Sequence, residues 1–297
     1  MVAAMDAGSV SQALPGRRRL LVVFLPMILL TAFVAQGAGR AKPRRATTAA
    51  QPTPSVPSLY RVVGCRSRGT LAYRHGPSVR AVAFGFDDGP AADTPAFLSM
   101  LERNRATATF FMIGSQLSST YRPMLLRELR DGDVLGDHTF THPNLTSSGD
   151  VRGQLSSTLQ TIRAISGYTP CVFRPPYGSY DQSVVDVARS LGLATVLWNV
   201  DPSDYARPGT SSIERRVLEQ VQPGSVVISH DGGGPRGETL AAYPAIISAL
   251  RSRGYRIETI PQLLGFRPVY VPCVRLCAGI GVPRSALPRG SIVERAP

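Results

Sequence analysis

Two adjacent carboxylates, Asp87 and Asp88, end an apolar run that starts at Arg80 and breaks on Gly89-Pro90 (RAVAFGFDDGP). Small and large apolar residues alternate up to Phe86, the pattern of a buried strand that ends in a site. Downstream the chain carries what a carboxylate pair needs for hydrolysis: His138 and His142, Arg174 to Tyr177, Asp201 and Asp204, and His230. In HTFTH the two imidazoles are four apart, which on a helical turn aims both at one point. Two His and one carboxylate form a facial set that leaves positions open for water and substrate on a divalent metal. A glycosidase acid and base pair is excluded for Asp87 and Asp88. Such carboxyls face each other across a sugar at roughly 5 to 9.5 Å, and neighbours in sequence do not. One aspartate on the metal and the other as base is the division that fits.

Each feature has a bland counterpart. D-D-G is an ordinary turn triplet, H-x-x-x-H recurs by chance, Arg174 serves equally in a structural ion pair, and Pro175-Pro176 sets a rigid turn at Tyr177. What favours chemistry is recurrence: the polar groups fall at the ends of successive predicted strands.

Those strands alternate with helices. Thr94-Pro95 opens a helix to Arg103, 108–113 is strand-like, 121–131 helical and 133–136 a short strand. A helix over 150–166 puts Val151, Leu155, Leu159, Ile162 and Ile165 on one stripe and is closed by Gly167. Then follow strand 171–173, helix 181–191, strand 194–199, helix 213–221, strand 225–229, helix 239–253 and strand 256–259. Strands separated by helices imply an α/β fold with parallel pairing and right-handed crossovers. Polar groups gathered from many C-terminal strand ends favour barrel-like closure over an open sheet with a single switch point.

The chain has 297 residues, 43% hydrophobic and 18% charged, which is ordinary for a globular protein. Arg17, Arg18 and Arg19 precede an apolar run over 20–35 and the small residues Gly37 and Ala38. Residues 1–38 thus match an export signal, with membrane anchoring through 20–37 as the alternative. Residues 39–58 have linker composition and are expected to be disordered, 59–79 read as an N-terminal lead-in, 80–266 as the catalytic domain and 267–297 as a wrapping tail. The formal charge is +13, but seven basic residues and only Asp6 among the acids lie in the first 45 positions, leaving 26 basic against 19 acidic, a net of +7. No basic helix or aromatic-interleaved basic strand appears, so nucleic acid is not an expected partner. An anionic envelope polymer fits an exported basic domain better.

FDDGP (Phe86 to Pro90), HTFTH (His138 to His142), RPPYG (Arg174 to Gly178), DPSDY (Asp201 to Tyr205) and ISH (Ile228 to His230) resemble, in order and spacing, the five motifs of the polysaccharide deacetylases, the family four carbohydrate esterases. The resemblance spans 80–264. It implies a distorted, incomplete (β/α) barrel with parallel strands and a divalent metal, zinc foremost, with cobalt, nickel or manganese as alternatives. It also implies hydrolytic removal of acetyl groups from a sugar polymer, and the chain is expected to be a monomer. Asp88, His138 and His142 would bind the metal, Asp87 would be the general base and His230 the general acid. Arg174 would hold Asp87, the Tyr177 backbone N–H would join the oxyanion hole, and Asp204 would orient His230. Tyr205 and Ile228 would line the acetyl-methyl pocket, with Pro176 also at the substrate.

Three positions depart from the family pattern. Gly85 stands where threonine is common, Asp137 precedes His138 where asparagine or serine is frequent and would add negative charge near the metal, and Tyr205 replaces the usual tryptophan. Cys65, Cys171, Cys273 and Cys277 in an exported chain favour disulfides, here a bridge from Cys65 to Cys273 or Cys277. The activity implied is an N-deacetylase on N-acetylglucosamine of peptidoglycan. Alternatives are a chitooligosaccharide deacetylase, an O-acetyl esterase on xylan-like or envelope polysaccharide, and a catalytically silent glycan-binding domain. The last is disfavoured because every catalytic position is filled.

Overall fold

The computed structural model describes residues 59–67, 72–147, 149–273 and 281–294. The signal or anchor expected in 1–38, the linker expected in 39–58, and Cys277 lie outside the described residues. No helix among the described residues is long and apolar enough to cross a membrane.

In chain order the elements are β1 (Leu59–Arg66), β2 (Ala81–Gly89), α1 (Thr94–Arg103), β3 (Thr109–Met112), α2 (Arg122–Asp131), β4 (Val134–Asp137), α3 (Val151–Ser166), β5 (Val172–Phe173), α4 (Gln182–Ser190) and β6 (Ala194–Thr195). There follow α5 (Thr210–Gln220), β7 (Ser225–His230), α6 (Gly237–Ser252), β8 (Arg256–Glu258), α7 (Ile260–Leu263), β9 (Arg267–Pro272), β10 (Val282–Pro283) and β11 (Ile292–Val293). Local chemistry sets several boundaries. The Asp150 and Asp181 side chains accept the N–H groups of Gly153 and Val184 and so cap α3 and α4. Gly167, at φ 72°, ends α3 in the left-handed conformation that glycine adopts without steric penalty.

The main sheet runs β6-β5-β4-β3-β2-β7, all neighbours parallel. β8 pairs with Ala81 to Ala83 of β2, on the edge that β3 occupies further along. The sheet curls until the chain just past β6 meets β7, where Val200 bridges Val227. Closure there is a single bridge, and the lead-in fills the seam: Tyr73 pairs beside Val196 and His75 beside Ser225. This is a distorted, incomplete (β/α) barrel.

The alternation in β2 follows from its two faces. Val82, Phe84 and Phe86 point outward into the core beneath α1 and α6, where Phe86 meets Phe97, Phe110 and Tyr243 at centroid distances of 5.0, 5.4 and 4.8 Å. Ala81 and Ala83 point inward, where the barrel has room only for small side chains beside Phe111, Val172, Val196 and Val226. Gly85 and Asp87 continue the inward row, by the period of two along a strand.

A second sheet, β10-β1-β9-β11, is built from segments expected to be a lead-in and a wrapping tail. β1 and β9 are antiparallel neighbours. The prolines at 268 and 272 read as loop signals, yet both sit near the ends of a short strand, where proline is tolerated. The expected bridge from Cys65 to Cys273 or Cys277 is corrected: Cys65 is bonded to Cys171, with Cα atoms 5.3 Å apart. The cause is strand adjacency, because the Thr169 N–H donates to the Val63 carbonyl at 2.8 Å and brings the chain before β5 alongside β1. Gly64 permits the approach, since a Cβ there would fall 2.7 Å from the Thr169 oxygen. Cys273 is also disulfide-bonded.

Because the Cys65–Cys171 bridge joins residues 106 apart, the double substitution Cys65→Ser with Cys171→Ser should lower unfolding free energy by about 2–4 kcal/mol in denaturant titrations. Non-reducing peptide mapping should recover Cys65 and Cys171 in one cross-linked fragment. A fragment joining Cys65 to Cys273 would contradict this topology.

Candidate active site

The C-terminal end of β2 delivers Asp87 and Asp88 to the barrel mouth facing different partners. Asp87, 2% exposed, accepts a hydrogen bond on Oδ1 from Arg174 Nη1 at 2.8 Å. Arg174 is fully buried, and its guanidinium lies 4.2 Å from the Phe111 ring centroid. Gly85 makes this placement possible, since a Cβ there would meet Nη1 at 2.5 Å and Nη2 at 2.6 Å. Burial lowers the pKa of the guanidinium, and the Asp87 charge works against that.

Asp88 turns the other way, at φ 70°. Its Oδ1 is buried, has no hydrogen-bond partner, and lies 3.4 Å from His138 Nε2 and 3.2 Å from His142 Nε2. Ligand atoms of the three residues lie within 4.8 Å of one another. His138 Nδ1 sits 2.7 Å from the Arg174 carbonyl. A carbonyl only accepts, so Nδ1 carries the proton and the Nε2 lone pair faces Asp88. His142 Nδ1 is 3.2 Å from the Tyr177 hydroxyl. A carboxylate oxygen without a donor and imidazole nitrogens aimed at the same point form a donor set that fits a divalent cation. Burial tends to raise the Asp88 pKa, but the two imidazoles outweigh it and hold the carboxyl well below the usual range.

The expected helical turn over 138–142 is corrected. The segment is irregular, with Thr139 at φ 69° and His142 at φ 59°. Asp137 and Gln154 set its shape: Asp137 Oδ1 accepts the Thr139 N–H at 2.8 Å, and Gln154 Oε1 accepts those of Phe140 and Thr141. The imidazoles converge through left-handed residues rather than helical spacing. The Asp137 side chain is fully buried, and burial pushes its carboxyl above the ordinary range although the hydrogen bond from the Thr139 N–H works the other way.

Opposite Asp87 across the β2–β7 register stands His230. Its Nδ1 is 2.8 Å from Asp204 Oδ1, its backbone N–H donates to Asp204 Oδ2 at 2.9 Å, and the Thr239 hydroxyl donates to the same oxygen at 2.9 Å. Burial lowers the His230 pKa, but the Asp204 bond and charge, with Asp87 and Asp88 beyond, raise it above 6.5 overall. Asp201 instead accepts the Ser203 N–H at 2.6 Å.

Asp87, Asp88, His138, His142, Asp201 and His230 line a cavity of about 480 Å³ that also includes Ile228, Tyr205 and Tyr177. Tyr177 is 71% exposed, at φ 59°, and its backbone N–H has no acceptor among the described residues. Pro176, expected at the substrate, is buried beneath the turn, and Pro175 lines the cavity instead. Trp198, missed in the sequence, also lines it and packs under Gly178, whose Cβ would fall 3.0 Å from the indole. A sole tryptophan beside a predicted strand end was the available signal. Also missed was Asp231, fully buried behind Gly89 and bonded by the Thr94 hydroxyl, whose carboxyl burial pushes up to about 7 despite that bond. Two other cavities, about 230 and 540 Å³, include no histidine.

Residues 74–196 match the family model for polysaccharide deacetylase. Over 204 residues the chain is 38% identical to a chitooligosaccharide deacetylase of Sinorhizobium fredii, covering 64% of this chain and 94% of that protein. Over 194 residues it is 36% identical to a peptidoglycan-N-acetylglucosamine deacetylase of Bacillus cereus, covering 63% and 90%. Among solved structures, a peptidoglycan N-acetylglucosamine deacetylase in complex with an N-oxidanyl-benzamide superposes with a TM-score of 0.63 at 31% identity, over 65% of this chain and 92% of that one. A CE4 family pseudoenzyme from Bacillus anthracis gives 0.61 at 29% identity, over 66% and 69%. With the barrel and the arrangement at its mouth, these likenesses establish that the chain belongs to the polysaccharide deacetylase family.

Proposed function

We propose that this chain is a metal-dependent hydrolase that removes acetyl groups from N-acetylglucosamine units of peptidoglycan, with zinc as the metal, acting outside the plasma membrane. The observation that carries the proposal is the convergence of Asp88, His138 and His142 on one point, in a cavity that Asp87 and His230, neighbours across β2 and β7, also line. The net charge of +7 beyond residue 45 suits an anionic wall polymer. A chitooligosaccharide substrate would use the same residues, and the named relatives include enzymes of both kinds.

Asp88, His138 and His142 would hold a divalent cation, which would supply Lewis acidity toward the acetyl carbonyl and the attacking water. Asp87 takes the proton of the attacking water, and the Arg174 hydrogen bond keeps its carboxylate aimed. The Tyr177 N–H donates to the oxygen that gains charge as the carbonyl carbon becomes tetrahedral. His230 enters protonated and gives its proton to the departing sugar amine, so the amine leaves neutral. Asp204 holds the His230 ring through Nδ1, which directs Nε2 at the substrate. Tyr205 and Ile228 enclose the acetyl methyl, and tyrosine in place of tryptophan leaves that wall shorter and more polar.

Incubation of the purified protein with peptidoglycan, chitin oligomers and acetylated xylan should release acetate fastest from peptidoglycan. No acetate from any of the three with metal supplied would overturn the proposal, and release from xylan alone would replace it with an O-acetyl esterase.

Asp87→Asn should keep its bound metal by elemental analysis and lower kcat by about 10² to 10⁴, whereas His138→Ala should lose the metal. Metal loss in Asp87→Asn would reverse the roles of the two aspartates.

The pH profile follows from His230. Its pKa lies above 6.5, so the acid form persists past that pH and activity falls as pH rises through the raised value. The stability that the Asp204 pair adds is likewise full below about 6.5 and lost across the same rise. Asp204→Asn removes the cause of the shift, and the basic limb should move to lower pH with a reduced maximum. An unmoved limb in a folded, metal-loaded variant would remove Asp204 from this role.

A further inference from the structure

After β7 the chain runs through Asp231 and three glycines into Arg236, just before α6. Both ends of this loop are held. The Asp231 and Gly232 N–H groups donate to the Asp87 carbonyl at 3.1 and 3.2 Å, and the Arg236 N–H donates to Asp93 Oδ2 at 2.8 Å. Between them Gly232 and Gly233 press on Asp88. A Cβ on Gly232 would fall 1.9 Å from the Asp88 carbonyl oxygen, and one on Gly233, at φ +70°, would fall 2.5 Å from Asp88 Oδ2. Only backbone fits against that carboxylate.

Arg236 is 5% exposed, and its guanidinium acceptors are all carbonyls. Nε donates to Gly232 at 2.6 Å, Nη2 to Gly233 at 3.0 Å and Nη1 to Tyr205 at 3.4 Å. Two of these bonds fix the glycine loop against Asp88, and the third fixes the turn that carries Tyr205. A planar fork reaches three carbonyls in two segments, which an ammonium on a flexible stem does not reproduce.

We propose that Arg236 is a positioning residue that ties the 232–234 loop to Asp88 on one side and to the Tyr205 wall of the acetyl pocket on the other. One side chain then sets both the ligand carboxylate and the depth of the pocket. The proposal rests on Asp88 being a cation ligand. Charge and geometry make opposite demands here, which allows a sharp test. Removing a buried cation near Asp88 would by itself tighten metal binding, whereas loosening the loop would weaken it.

The test titrates Zn²⁺ alone into metal-free full-length protein by calorimetry, for wild type, Arg236→Lys and Arg236→Gln, with thermal melts in parallel. Both variants are expected to bind Zn²⁺ about 10- to 100-fold more weakly, lysine included although it keeps the charge. KM for an N-acetylated oligosaccharide should rise, and selectivity for acetyl over propionyl should fall. Gly233→Ala reaches the same carboxylate from the loop side and should weaken Zn²⁺ binding with Arg236 intact, which keeps the test available if an arginine variant does not fold. Zn²⁺ affinity within about twofold of wild type in the folded variants, or tighter binding in Arg236→Gln with Arg236→Lys unchanged, would overturn the proposal. The titration needs no substrate, so a wild type that releases no acetate would sink the deacetylase assignment without deciding the role of Arg236.

Discussion

A buried ion pair sits at the mouth of this barrel. Arg174 bonds Asp87 at 2.8 Å with neither side chain open to solvent, and breaking such a pair by removing one partner costs about 3–5 kcal/mol. Its place is prepared on both sides, by Gly85, which leaves the guanidinium the space of a Cβ, and by the Phe111 face. The same residue also reaches the neighbouring strand. Its N–H donates to the Asp137 carbonyl, and its own carbonyl accepts from His138 Nδ1. One arginine therefore aims the proposed base with its side chain and fixes the tautomer of a proposed ligand with its backbone. The small inward residues of β2 are what leave room for it.

Around that pair the backbone is held in conformations that side chains resist. Asp88, Thr139, His142 and Tyr177 all have φ between 59° and 70°, at about 1–2 kcal/mol each. They persist because the surroundings over-determine them: the Gln154 and Asp137 side chains bind the 138–142 backbone, and the Pro175-Pro176 turn rests on Trp198. Strain concentrated at the strand ends while the aromatic core beneath β2 is packed without it is the usual distribution for a site assembled in advance. Asp88 presents an oxygen with no donor, a state that the fold tolerates because the imidazoles beside it are themselves locked.

The sequence made legible what is local. Periodicity placed α3 and its glycine stop, and the alternation over 80–86 announced a strand with unlike faces. The five motifs located the polar groups, which the barrel then gathers at its mouth. What escaped depends on partners distant in the chain. Cys65 meets Cys171 only because β1 runs beside the start of β5, and strands with proline near their ends, such as β9, carry no clear period. His138 and His142 converge by left-handed backbone geometry held from Gln154, which four-residue spacing does not encode. Gly85 looked like a minor departure until a guanidinium was found in the space of its side chain. The glycines at 232–234 read as loop composition, and nothing local says that Gly232 packs on the backbone, and Gly233 on the carboxylate, of a residue more than 140 positions earlier.

The central claim is that the two adjacent aspartates divide the work, one as ligand and one held by arginine as base. Anomalous diffraction from zinc-loaded crystals measures this most directly. A single zinc peak bound by Asp88, His138 and His142, with Asp87 still paired to Arg174 and outside the ligand set, is the predicted result. Zinc bound through Asp87, with the Arg174 pair broken, would contradict it.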